Sequence, residues 1–156
     1  MLIITSVENL NKEIINIISR EKDIPGIYVS LNKTQKSSND FLKKNNINSD
    51  NLFFIDCVTS IKTNENVLHI PPTDLKKLSF AIKNFIKEIK QNKYLIIDAL
   101  STLLIYNNEN KVASFVKEIT EIASQYNVKV IALSPKTKGE DLLNKIFNFF
   151  DKVVKK

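Results

Sequence analysis

The sequence holds one cysteine, Cys57, and one histidine, His69, in 156 residues. A lone cysteine excludes an intrachain disulfide and a thiolate cluster, and a single histidine beside it leaves no ligand set for structural zinc. A histidine-based triad would have to use His69 itself, and no serine or cysteine motif points to it. Glycine is nearly as scarce, with only Gly26 and Gly139. Among 23 basic residues only Arg20 is an arginine, the side chain best suited to bidentate phosphate and base contacts. No apolar run approaches the ~18 residues of a membrane span. No charged segment leads into an apolar stretch and cleavage site at the start, so the chain is expected to be soluble and cytoplasmic.

An apolar content of 43% is enough for the core of one domain spanning residues 1–156. The net charge of +6 raises the question of an acidic partner, and its distribution decides. Residues 1–50 carry 7 basic and 6 acidic side chains, residues 51–100 carry 7 and 5, and residues 101–156 carry 9 and 6. That spread contains no basic tail or domain, and no interleaved aromatics accompany the lysines for base stacking. Nucleic acid is therefore the weakest of the partner classes considered.

Met1–Thr5 is a short β-prone run, followed almost at once by helical spacing through Leu10, Ile14, Ile15, Ile17 and Ile18 from about Val7 to Glu21, with Ser6 placed to cap it. After the turn at Asp23–Gly26, the residues Gly26–Leu31 read as a second strand and Asn32–Asn46 as a weaker helix. Asn51–Thr59 is a third strand ending in an acid, Asp56. Val67–Ile70 forms a short extra strand before Pro71 and Pro72, and a helix capped by Thr73 or Asp74 runs to about Gln91. Tyr94–Asp98 is an uninterrupted apolar strand ending in Asp98, with a second apolar run at Leu103–Tyr106. A helix over Asn110–Gln125, a fifth strand over Val128–Ser134, a last helix to about Phe149 and an edge strand at Asp151–Val154 complete the chain. Strands without polar alternation, separated by helices, predict an α/β fold with a parallel sheet covered on both faces. Asp98 then lies at the carboxyl edge where such sheets bind ligands, as a metal or phosphate residue or as a helix cap.

The stretches YVSLNKTQKSSNDFLKKNNINSDNLFFIDCVTS and YLIIDALSTLLIYN resemble the RecA-like ATPase core of the KaiC-type proteins, common in archaea. The match is most specific in YVSL, LFFIDCVT and LIIDALSTLL. The resemblance implies a three-layer RecA-like P-loop NTPase fold with a mostly parallel sheet. Its strand order is 3-2-4-5-1 with a sixth edge strand, counting Tyr94–Asp98 as strand four. It also places Asp98 as the Walker B acid that supports magnesium through water. Two parts of the family's machinery are missing. A P-loop needs GxxxxGK followed by Ser or Thr so that backbone N–H groups and a lysine hold the phosphates. This chain has Ser6-Val7-Glu8-Asn9 there. The pair of glutamates that orients the attacking water after the YVSL strand is replaced by Asn32 and Lys33, neither of which accepts the water's proton.

Ser6, Asn32, Asp56, Asp98, Ser134 and Lys136 are the candidates for a remnant ligand site, with no catalytic or metal residue among them. Asp98 is expected to persist as a structural acid bonded by backbone N–H groups around Ser101 and Thr102 or by a neighbouring strand end, since one carboxylate rarely holds magnesium alone. Asp56 is either a second acid or the cap of the next turn. Lys136 and Lys138 form either an anion site or a solvated loop. His69 is expected at a loop or strand edge, and Cys57 as a buried thiol. The leading expectation is a non-catalytic, degenerate RecA/KaiC-like protein with no required cofactor. It would act by protein–protein contact with its own copies or with an active ATPase of the same superfamily. A sensor that holds ATP or another phosphorylated ligand weakly without hydrolysis is the alternative.

Overall fold

Every residue of strand β5, Tyr94–Asp98, is buried. It lies between β2, Gly26–Ser30, and β6, Lys129–Pro135, each in parallel register with it. The computed structural model describes residues 1–59, 67–136 and 140–156. The polar stretch at 60–66, Lys138 and Gly139 lie outside the described residues.

β3, Leu52–Asp56, flanks β2 and is followed at the edge by the two-residue β4, Leu68–His69. Beyond β6 come β1, Leu2–Thr5, and the edge strand β7, Val153–Lys155, giving the order β4-β3-β2-β5-β6-β1-β7 with every pairing parallel. The central five strands follow the expected order 3-2-4-5-1. The sheet gains β4 at one edge and β7 at the other.

Alternate residues of each strand enter two separate cores, as a pleated strand requires. Ile3, Tyr28, Phe54, Ile96 and Leu133 pack under α1, Val7–Arg20, and α2, Gln35–Lys44. Ile27, Ile55, Leu95, Ile97 and Ala132 pack under α3, Leu75–Glu88, with α4, Glu109–Gln125, and α5, Glu140–Ile146.

Local chemistry sets the element ends. Asp74 starts α3 by accepting the Lys77 N–H at 2.9 Å, and Asn108 starts α4 by accepting that of Lys111 at 3.0 Å. The helix expected from Asn32 begins at Gln35 instead, because Thr34 accepts the Ser37 N–H at 3.1 Å and holds Asn32 and Lys33 in the preceding loop. Ser6 occupies the capping position of α1, but its hydroxyl makes no capping bond. The apolar run after Asp98 is a 3-10 segment, Leu100–Ile105.

Gly26 pairs with both Leu52 and Tyr94. A Cβ there would stand 2.5 Å from Tyr94 Cζ and 2.8 Å from Leu52 Cδ2, and the Tyr94 ring is fully buried. Gly26→Ala is expected to lower stability by about 1–3 kcal/mol, the usual cost of overpacking. Urea denaturation checks it; an unchanged midpoint would show that the ring can move.

Candidate functional site at the carboxyl edge of the sheet

Asp98 ends β5 directly beside Ser30, the last residue of β2. Two residues earlier on β2, Tyr28 projects to the same face, and its hydroxyl donates to Asp98 Oδ2 at 2.7 Å. The loop after β2 brings Asn32 over the other oxygen, with Nδ2 donating to Oδ1 at 3.3 Å. The Thr102 hydroxyl in turn donates to Asn32 Oδ1. A continuous chain of tyrosine, carboxylate, amide and hydroxyl therefore ties β2, β5, the β2–α2 loop and the 3-10 segment together. The peptide between Asp98 and Ala99 is cis.

Burial raises the Asp98 carboxyl above its ordinary value, opposed by the Tyr28 hydroxyl, the Lys33 charge and the Asn32 amide. The Tyr28 phenol is pushed well up, first by burial and then by the Asp98 charge. Lys33 itself donates to Asn11 Oδ1 and lies over the Phe41 ring, 4.5 Å from its centroid.

A crevice of about 380 Å³ opens beside this chain, lined by Asn32, Asp98 and Thr102 together with Val7, Ile105 and Pro135. Ile105 and Val7 are more than half exposed, at 66% and 57%. The route from β1 to α1 is one residue long, Ser6. At the start of α1 the exposed Glu8 carboxylate is held below its usual range by its own backbone N–H and then by the Ser6 hydroxyl. The positive end of the helix dipole is thus already met by an anion from its own first turn.

The structure gathers only some of the expected residues. Asn32 and Asp98 meet and line the crevice, whereas Ser6 precedes Val7, which lines it, and does not line it itself. Asp98 is a buried structural acid, and of the two expected sources of its partners the neighbouring strand supplies them, through the side chains of Tyr28 and of Asn32 just past its end, and not backbone N–H groups around Ser101 and Thr102. Asp56 lies two strands away, about 10 Å across the sheet. Its Oδ1 accepts from the N–H groups of Val58 at 2.8 Å and Thr59 at 3.0 Å, and its Oδ2 from the Gln35 N–H at 2.8 Å and the Thr59 hydroxyl at 3.0 Å. Burial opposes ionisation of Asp56, yet these bonds outweigh it and lower the pKa. Asp56 is therefore a turn cap and not a second acid of the crevice. Ser134 is buried in β6 with its hydroxyl 3.5 Å from the Pro135 carbonyl, and Lys136 is exposed, its backbone N–H donating to the Thr5 carbonyl at 2.9 Å. Neither side chain lines the crevice.

His69 sits on the edge strand β4, its Nδ1 3.9 Å from Asp56 Oδ2. The Cys57 thiol is buried and pushed up to about 12 by burial and then by Asp56. Among the described residues no three His, Cys, Asp or Glu side chains are placed to share a metal ion. Sequence reasoning missed Tyr28 and Asn11, and named Thr102 for its backbone N–H and not for the hydroxyl that meets Asn32. Of these only Tyr28 carried a signal, because a tyrosine in a buried strand must find a partner for its hydroxyl.

A three-layer parallel sheet with an acid ending its central strand and a crevice at its carboxyl edge defines a RecA-like domain. Residues 14–149 match the family described as the KaiC ATPase, and the chain belongs to that family. No curated protein matches it in sequence. A KaiC-like protein from the hyperthermophilic archaeon Pyrococcus horikoshii OT3 is similar in structure, with a TM-score of 0.71 at 14% identity over 99% of this chain and 70% of the other. An uncharacterized protein of Pyrococcus horikoshii, solved in complex with an unknown peptide, gives 0.75 at 13% identity over 99% of this chain and 76% of that one. At these identities the likeness is one of fold.

The raised Asp98 pKa fixes a sign. Between the ordinary carboxylate value of about 4 and the higher folded value, the native state holds the proton more tightly than the unfolded chain. The stability linked to Asp98 is therefore complete below that window and is lost as pH rises through it. In urea melts at a series of pH values, wild type is expected to gain on Asp98→Asn as pH falls through the window. Tyr28→Phe removes a bond that favours the carboxylate, so it should extend the window upward and cost about 1–3 kcal/mol at neutral pH. A pH-independent difference between wild type and Asp98→Asn would contradict the assignment.

Proposed function

We propose that this KaiC-family domain does not turn over ATP and works through contact with other proteins. The observation that carries the first half is the start of α1. A phosphate cradle needs a loop of backbone N–H groups around the anion and a lysine. Here a single residue, Ser6, joins β1 to α1, and the exposed Glu8 carboxylate stands in the first turn of that helix. A triphosphate brought to that point would meet an anion where the family places a cation. Both oxygens of Asp98 are engaged by Tyr28 and Asn32, so a magnesium shell would have to displace them. The residues present therefore do not fit magnesium–ATP as the family holds it, and no catalytic step is derived through it.

The second half is supported by apolar surface. Phe53, Leu68, Phe80, Ile105 and Tyr106 are all substantially exposed. Such residues cost least in water when a partner covers them. The Pyrococcus structure solved with an unknown peptide supports a fold of this shape holding a polypeptide.

Phosphate release from ATP with magnesium is expected to stay at background for wild type and Asp98→Asn alike. Magnesium-dependent turnover that disappears in Asp98→Asn would overturn the proposal. Millimolar ATP should shift the melting temperature by less than about 1 °C. A rise of several degrees would favour a nucleotide sensor, since stabilisation grows with ligand concentration over its dissociation constant.

A further inference from the structure

A parallel sheet normally has both faces covered by helices. On the face shared by α3, α4 and α5, cover stops at α3. Phe53 of β3 and Leu68 of β4 are 42% and 39% exposed, although both strands continue the sheet beyond it. Between this strand pair and α3 lies a groove of about 830 Å³. Its strand wall is Phe53, Leu68 and Ile70, with Phe53 against Phe85 at 5.8 Å between ring centroids.

The helix wall has a pattern. Lys77, Phe80, Ala81, Asn84, Phe85 and Glu88 recur at i, i+3, i+4, i+7, i+8 and i+11, one continuous stripe over about three turns. Behind the stripe Leu78, Ile82 and Ile86 are fully buried in the core, which Ala81 also joins and Phe85 packs against, so that these two residues bridge core and stripe. Phe80, at 64% exposure, stands near its middle. A groove running along a helix with that periodicity matches a second helix packed beside α3, about 8–10 Å from its axis, in the vacant place of the layer.

Charge narrows the choice of occupant. Lys77 and Lys90 flank the groove, with Glu88 the only acid on its wall among the described residues. Lys90 donates to the Lys87 carbonyl at 3.0 Å, and neither Lys77 nor Lys90 has a carboxylate partner among the described residues. A second copy fits poorly. It carries the same net charge of +6, and the exposed stripe it could offer, on α3, brings the same Lys77 and Lys90, so two copies would set like charges together.

We propose that the groove between α3 and the β3–β4 edge binds an acidic amphipathic helix of another protein, whose apolar stripe covers Phe53, Leu68 and Phe80 and whose carboxylates meet Lys77 and Lys90. The inference names the partner chemistry for the protein-contact reading above and rests on that half of it alone.

The test uses the full chain and a labelled synthetic helix of about 18 residues with leucines at i, i+3, i+4 and i+7 and glutamates elsewhere. A basic-flank version with lysines for glutamates and a scrambled acidic version serve as controls, all read by fluorescence anisotropy. The acidic helix should bind at least about tenfold tighter than either control, more weakly as salt rises. Phe80→Asp, at an exposed position, should weaken it about tenfold with an unchanged thermal melt. Lys77→Glu combined with Lys90→Glu should reverse the preference toward the basic helix. Equal binding of acidic and basic helices, no effect of Phe80→Asp, or no binding at all would overturn the proposal. So would a concentration-dependent dimer in light scattering that Phe80→Asp dissolves, since the occupant would then be a second copy. ATP turnover found alongside helix binding would sink the non-catalytic reading and leave this one standing.

Discussion

A strand buried on both faces cannot carry its last polar side chain to water, so β5 depends on finding a partner for Asp98. The parallel register with β2 supplies one. Ser30 falls opposite Asp98, which places Tyr28 one strand repeat below it on the same face and within reach of the carboxylate. The buried carboxylate is tolerable because both oxygens accept hydrogen bonds; left unpaired, a charge there would cost several kcal/mol, of order the marginal stability of a domain. The same pairing holds the β2–α2 loop down through Asn32 and the 3-10 segment through Thr102. Four parts of the carboxyl edge are therefore set by one interaction.

The sheet was legible because its signal is repetitive. LIIT, GIYVS, LFFID, YLIID and KVIALSP lack polar alternation, and helical spacing lies between them, so element type followed from pattern and strand order from family resemblance. The site was less legible because its geometry is made across the chain. Tyr28 and Asp98 are seventy residues apart, as are Asn32 and Thr102, and nothing local to either member names the other. Asp56 shows the opposite case. Three of its four bonds go to Val58 and Thr59, so its role as a turn cap is local chemistry, the kind a sequence displays. Lys136 is a third case: it is exposed with its backbone held to Thr5, as the solvated-loop alternative has it, and nothing local to its sequence separates that from an anion site.

The start of α1 and the α3 groove are at different places on the same sheet, and the physics at the two is opposite. At the carboxyl edge, the polar groups that would have held a ligand are turned inward on one another. Asn32 satisfies Asp98 and Thr102 at once, and Glu8 places a negative charge in the first turn of α1. Along the groove beside α3, Phe80, Phe53 and Leu68 are turned outward. Phe80 belongs to neither core among the described residues, and Phe53 meets the Phe85 ring.

That contrast also bears on how independently the two regions can change. The residues that hold α3 to the sheet, Leu78, Ile82 and Ile86, point away from the groove, and the Asp98 chain lies on the opposite face under α1 and α2. Substitutions at Phe80 or Lys77 share no partner with either set, so their effects on stability should add rather than couple. A surface with this property can acquire or lose a partner without disturbing the fold. The carboxyl edge cannot, because any ligand that recruits Asp98 must first dismantle the hydrogen bonds that let β5 end there.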